Sequence, residues 1–332
     1  MIQKFKRFLN KHLEALSNEV TRENEKQALT NSVKDFLMKV FQLIIIVGVS
    51  YVILAPVLGL LANSFFSTKD AYNPLVYLIP QDPTLERYET VIEIMDYWST
   101  MGKSLFYTIS LMVLQCLVCS MVGYGFARFN FPFKKLLFGC VVVMIVIPTH
   151  TIMLPLYMTF KNFDPLGLCS LFFGGPISLM NKTTPMYIMT LFGAGLRSGL
   201  YIYIFNQFFR GLPKEIEEAA FVDGAGTWYT YFNIMLRNAT PSVITVAVFS
   251  MVWQYNDTFF ARLFVYDSAE SIGMRISSLM GSVANQLKIM DRVVQHLYLD
   301  AGIILMIVPI ILVYVFLQKY FIEGVERSGI VG

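Results

Sequence analysis

Apolar positions in this chain gather into long runs separated by polar intervals. A helix needs about 20 apolar residues to cross the hydrocarbon core of a bilayer. Runs of that length occupy 40–61, 104–126, 136–158 and 297–318. Two more segments, 186–208 and 242–264, are more polar but long enough. The pattern predicts an all-α membrane protein with six transmembrane helices. A polar extension of mixed charge, 1–35, precedes a membrane region over 36–320, and 321–332 forms a tail. The first apolar run is too long for a signal core, so no cleavable signal peptide is expected.

Composition agrees with the pattern. Hydrophobic residues make up 55% of the chain and charged residues 15%, against roughly a quarter charged in an ordinary soluble domain. The net charge of +3 is small and dispersed, which argues against nucleic acid as a partner. Cys116 and Cys119 have the CxxC spacing of a redox or metal pair, but no second pair or histidine lies near them. Two thiols inside an apolar run read as small hydrophobes. Lys4, Lys6, Arg7 and Lys11 interleave with Ile2, Phe5, Phe8 and Leu9. Both a membrane-surface helix and a solvated basic tail fit that interleaving.

Positive charge in short loops marks the cytoplasmic side. The N-terminal segment is rich in lysine and arginine, and the 127–135 link carries Arg128, Lys134 and Lys135 without an acid. Both termini and the 127–135 and 209–240 links are therefore expected in the cytoplasm. The 62–103, 159–185 and 265–296 segments are expected outside.

The 209–240 link is long and structured by its own chemistry. Pro213 suits a first helical turn, and Lys214 to Ala220 are strong helix formers. Glu215, Glu217 and Glu218 complement the helix dipole there, and Gly224 supplies a stop. A second helical stretch, Thr227 to Leu236, carries Trp228, Tyr231 and Phe232. Two short helices across the inner membrane face would make a docking surface.

No catalytic constellation accompanies these elements. Gly102-Lys103-Ser104 matches only the end of a phosphate-binding GxxxxGK[ST] loop, because Tyr97 stands where the first glycine is needed. His12, His150 and His296 are too dispersed for a metal site. Polar groups inside spans are costly and usually face a cavity or a partner. The candidates for a solute pathway are His150, Arg197, Trp253, Tyr255, Asn256 and Asp257. An aromatic face beside an amide and a carboxylate suits a sugar. Arg197 either lines the pathway or pairs with Asp257 or a partner carboxylate, and pairing is favoured. His150, just after Pro148, fits a cavity-lining break or a packing kink.

Glu218-Ala219-Ala220, with Gly224 and then Ile234 and Leu236, resembles the EAA loop of ABC importer permeases. Gly123 to Arg128, Phe131-Pro132, Ile147-Pro148, Leu154 to Tyr157, Asn206 to Glu215 and Gln318 to Phe321 with Gly329 and Gly332 are similar to the carbohydrate branch, in particular to the maltose-type second permease. The resemblance covers about 100–332. It implies that the 209–240 loop is a coupling helix seated on a separate ATPase, with Glu217, Glu218, Ala219, Ala220, Asp223 and Gly224 at the contact. It implies ATP and Mg on that partner and no cofactor, catalytic residue or metal on this chain. The implied partners are a second permease, an ATPase dimer, an extracytoplasmic binding protein and membrane lipid. Arg237 stands where the family has a proline, so Pro241 is expected to break the helix instead. The competing class is an autonomous ion-coupled secondary transporter of a polar solute. Paired Gly/Pro-interrupted half-repeats would mark it, and the two halves of this chain carry none.

Overall fold

The computed structural model describes residues 19–265 and 271–329. The basic stretch containing Lys4, Lys6, Arg7 and Lys11, together with His12 and Gly332, lies outside the described residues. The chain divides into two units, Met1–Ala62 and Asn63–Gly332. The described residues of the first unit lie on helix α1, Glu19–Ser64, which runs unbroken through residue 35. Phe36, Ile44 and Val52 are exposed on it. From Thr30 onward α1 is long and apolar enough to cross a membrane, where lipid would cover such side chains.

The second unit is helical too. Its main helices are α2 (Glu86–Ile94), α3 (Tyr97–Arg128), α4 (Lys134–Val146), α5 (Met153–Lys161), α6 (Thr184–Leu191) and α7 (Ser198–Gly211). There follow α8 (Glu215–Val222), α9 (Thr240–Tyr255), α10 (Phe259–Phe264), α11 (Ile272–Leu287) and α12 (Arg292–Gly329). Among the described residues the only bridge of β type pairs Phe163 with Ile177.

Among the described residues three helices pass as unbroken spans: the Thr30–Ser64 part of α1, α3, and the Arg292–Phe316 part of α12. Two bent pairs raise the number to five at most. Six spans were expected; three of the runs that predict them are not continuous helices. The 136–158 run breaks at Ile147-Pro148, and the halves bend by 105°. Proline lacks the N–H a helix needs and holds the preceding residue extended; Ile147 has ψ 122°. The 186–208 run is interrupted between α6 and α7, where Gly193 and Arg197 adopt φ +69° and +60°. The 242–264 run stops at Tyr255. There Asp257 accepts hydrogen bonds from the N–H groups of Phe259, Phe260 and Ala261 and opens α10. A short acceptor side chain that bonds nearby backbone offers an alternative to a continuous helix.

Helix α3 is the central post. Gly123 brings it against α7 so closely that a Cβ there would lie 2.6 Å from Phe205 Cβ and 3.0 Å from the Asn206 nitrogen. Gly199 brings α7 against α4 in the same way, with the Val141 carbonyl oxygen and Met144 Cβ both at 3.0 Å. One apolar cluster, including Tyr201, Phe205, Phe209, Tyr231 and Met235, fills the end of α3 and α7 nearest the 209–240 link. A second joins α2, α3, α11 and α12 around Val91, Met95 and Leu279. A third joins α3, α5 and α10 around Leu111, Phe160 and Phe264.

Candidate functional site

The 209–240 link begins as its sequence implies. Helix α8 starts after Pro213, with Glu215, Glu217 and Glu218 in its first turn. It ends in a Schellman motif: the Ala225 N–H bonds to the Ala220 carbonyl at 2.9 Å and the Gly224 N–H to the Phe221 carbonyl at 3.0 Å. Gly224 has φ +83°, a conformation that favours glycine at this cap.

The six loop residues singled out by sequence do not share a face. Glu218, Ala219, Asp223 and Gly224 are exposed, with Phe221 and Val222 beside them. Glu217 and Ala220 are buried. Arg128 Nε lies 2.8 Å from Glu217 Oε2, and the Tyr124 hydroxyl donates to Glu217 Oε1 at 2.5 Å. Arg128 Nη2 also donates to the Leu212 carbonyl at 2.8 Å. Glu217 therefore faces α3, not an outside surface.

The second half of the link is less regular than expected. One turn of α-helix, Thr227–Tyr229, passes into a π-helical segment, Thr230–Met235, and back to α at Leu236–Asn238. π-Turns inserted in helices are frequent at functional sites. Trp228 and Phe232 stack with ring centroids 6.1 Å apart on the exposed side. Tyr231 is 2% exposed and shares a 2.7 Å hydrogen bond with Ser120. It belongs to the interior and not to a docking surface. The chain then bends by 77° into α9, and Pro241 sits in the first turn of α9. Pro241 thus stands at the break, and Arg237 is exposed.

The proposed pathway residues divide as well. Arg197 and Trp253 meet: the guanidinium carbon lies 4.3 Å from the ring centroid. Arg197 has no ion pair with Asp257 among the described residues, because the Asp257 carboxylate is engaged by the backbone of α10. The aromatic face takes the place of the expected carboxylate, and attraction to the ring's π-cloud offsets part of the cost of a cation in lipid. Asn256 is exposed and donates to the Val252 carbonyl of its own helix at 2.9 Å. Tyr255 is buried and donates to the Met306 carbonyl of α12 at 2.7 Å. Exposed His150 rests edge-on to Phe259, with ring centroids 4.8 Å apart. A recess beside α3 and α9 is lined by Ser104, Tyr107, Thr108, Gln254 and Asp257.

Sequence reasoning missed Gln115. It is buried in the middle of α3 and donates to the Leu196 carbonyl at 2.6 Å and to Ser198 Oγ at 3.0 Å. Its oxygen accepts from Ser250 at 2.7 Å and from Gln254 at 3.3 Å. An amide in an apolar run was the signal available. The near-match to a phosphate loop is set aside: Gly102-Lys103-Ser104 lies inside α3, a continuous helix with no loop to cradle a phosphate.

A protein family described as binding-protein-dependent transport system inner membrane component matches residues 119–327, more than half of the chain. The chain belongs to this family. This permease is 27% identical to the arabinooligosaccharides transport system permease of Halalkalibacterium halodurans, over 86% of its own length and 93% of the relative's. It is 26% identical to the diacetylchitobiose uptake system permease of Streptomyces coelicolor, over 84% of each. Among solved structures, a bacterial ABC transporter involved in import of the acidic polysaccharide alginate matches its fold with a TM-score of 0.67 at 17% identity, covering 87% of this chain and 98% of that one. The permease is a multi-pass membrane protein and a transport subunit of an ABC importer. Hydrolysis of ATP lies on a separate subunit, and a solute-binding protein delivers the cargo. This excludes the autonomous ion-coupled transporter.

Proposed function

We propose that this permease imports a carbohydrate and that helix α8 is the element an ATPase partner grips. The observation that carries the coupling role is the outer face of α8. Glu218, Ala219 and Val222 are exposed together on a helix closed by the Gly224 cap. Glu218 is free to form a charge-assisted hydrogen bond with a partner's donor. Ala219 lets another surface approach closely. The carbohydrate class rests on the relatives, whose names speak of arabinooligosaccharides and diacetylchitobiose. Arg197 over Trp253 offers a stacking face and donors of the kind a sugar uses. Tyr255 and Asp257, both engaged internally, support the shape of the path.

The loop charges favour cytoplasmic termini and a cytoplasmic 209–240 link, with a second, non-identical permease completing the pathway and lipid covering the apolar spans. The test is Glu218→Lys in the assembled importer. The expected result is loss of ATP-driven uptake with the protein still in the membrane. Uptake that survives both this change and depletion of ATP would sink the coupling role. A screen of sugars against the cognate binding protein tests the cargo: failure to bind any mono- or oligosaccharide overturns the carbohydrate reading.

A further inference from the structure

We propose that Arg128 and Tyr124 are positioning residues which, through Glu217, make α8 and the helices α3, α7 and α4 one mechanical body. The proposal rests on the reading of α8 as the gripped element and adds how a movement there enters the membrane. A short helix on a link transmits little if it can swivel on its own loop. Here it is bonded to a span. Glu217 meets two groups of α3: it pairs with the Arg128 guanidinium, whose Nε lies 2.8 Å from Oε2, and accepts from the Tyr124 hydroxyl at 2.5 Å. Arg128 also holds the Leu212 carbonyl, just ahead of α8, at 2.8 Å. The approach to α8 and α8 itself are thus fixed to one side chain.

Burial makes this bond stiff. The side chains of Arg128 and Glu217 are 6% and 9% exposed. Breaking a buried ion pair by removing one partner leaves a charge uncompensated, whereas removing both is far less costly. Tyr124 is wedged edge-on against Phe209 of α7 and tilted against Tyr231, with ring centroids 5.4 and 5.1 Å apart.

From there the path is steric. Gly123, next to Tyr124, leaves no space between α3 and Phe205 of α7, and Gly199 leaves none between α7 and α4. Close-packed contacts of this kind transmit displacement instead of absorbing it. A pull on the outer face of α8 therefore moves α3, α7 and α4 together. The two adjacent carboxylates have separate roles, Glu218 meeting the partner and Glu217 holding the permease.

The experiment uses the complete importer in lipid, with the four native cysteines replaced and spin labels at Lys214, the N-cap of α8, and at Leu137 on α4, both exposed. Distances are read without nucleotide and with ATP plus EDTA. The expected result in the otherwise unmodified chain is one narrow distance distribution that ATP does not shift. In Arg128→Met/Glu217→Gln, where neither charge is left unpaired, ATP should shift or broaden it. A shift in the unmodified chain, or none in the double variant, overturns the proposal. If the double variant does not assemble, Tyr124→Phe keeps the ring and removes the hydroxyl, and the same two outcomes decide. A second label pair, Lys214 to the ATPase, reports seating alone. No such signal in the unmodified chain overturns the docking reading and the strut with it; a signal with an independent α8 overturns the strut only.

Discussion

Glu217 and Glu218 are neighbours in sequence with opposite fates, one buried against α3 and one exposed. No local propensity separates them, because both suit the first turn of a helix equally. What separates them is the helix's rotation, set by Ala220 and Ile216 packing inward. Gln115 shows the same principle in the apolar layer. Its amide satisfies groups from α7, α9 and the 192–197 break together. Gln115→Leu would leave Ser250 and Gln254 without that acceptor, at a cost of about 1–2 kcal/mol. The expected outcome is a lower melting temperature of the purified importer, with Gln115→Glu costing at least as much because it adds a buried charge. A melting temperature unchanged in Gln115→Leu would remove the network from the account.

Among elements, the end of α8 was legible and its neighbour was not. The run from Pro213 to Gly224 contains a start, strong formers and a stop, so the helix and its cap followed from composition alone. Gly224→Ala places a Cβ at φ +83°, a strain of about 1–2 kcal/mol. It should fray the last turn of α8 and raise amide hydrogen exchange at Gly224 and Ala225, with exchange elsewhere in the permease unchanged. The π-segment after Thr227 carries no such punctuation, and within it Tyr231 reaches Ser120 across to α3. The breaks within spans were legible only in part. Pro148 and Pro241 announce themselves, but the interruption at 192–197 needs Gly193 and Arg197 at positive φ, which hydropathy does not register.

A polar clasp outside the spans behaves differently with pH. The Tyr72 hydroxyl donates to Asp291 and ties the one-turn helix Thr68–Tyr72 to the start of α12. That bond, with help from the Val293 and Val294 N–H groups against desolvation, holds the Asp291 carboxyl below the usual carboxylate range. A depressed folded value stabilises above the unfolded pKa and loses its contribution as pH falls through the folded one. The melting difference between the unmodified importer and Tyr72→Phe should therefore be present at neutral pH and shrink toward zero in strong acid. A difference that persists there would contradict the clasp.

Across the second unit, function rests on how tightly a few helices are joined. Gly123→Ala puts a Cβ 2.6 Å from Phe205 Cβ, and overpacking of this kind costs typically about 1–3 kcal/mol. It should reduce the yield of assembled importer more than Gly125→Ala on the same helix, where the nearest atom would be 4.0 Å away. Equal yields would mean that α3 and α7 are not locked at that point. By itself the sequence determined the membrane class, the helical content, the charge pattern of the loops and the shape of α8. All of these follow from hydropathy over about 20 residues and from cap chemistry within a turn. The tertiary structure decided which carboxylate faces outward, that Arg197 rests on Trp253 instead of pairing with Asp257, and that the 186–208 run breaks at 192–197. Those outcomes depend on side chains meeting across distances of up to more than a hundred residues along the chain, as Ser120 meets Tyr231. No pattern local to either residue contains that meeting.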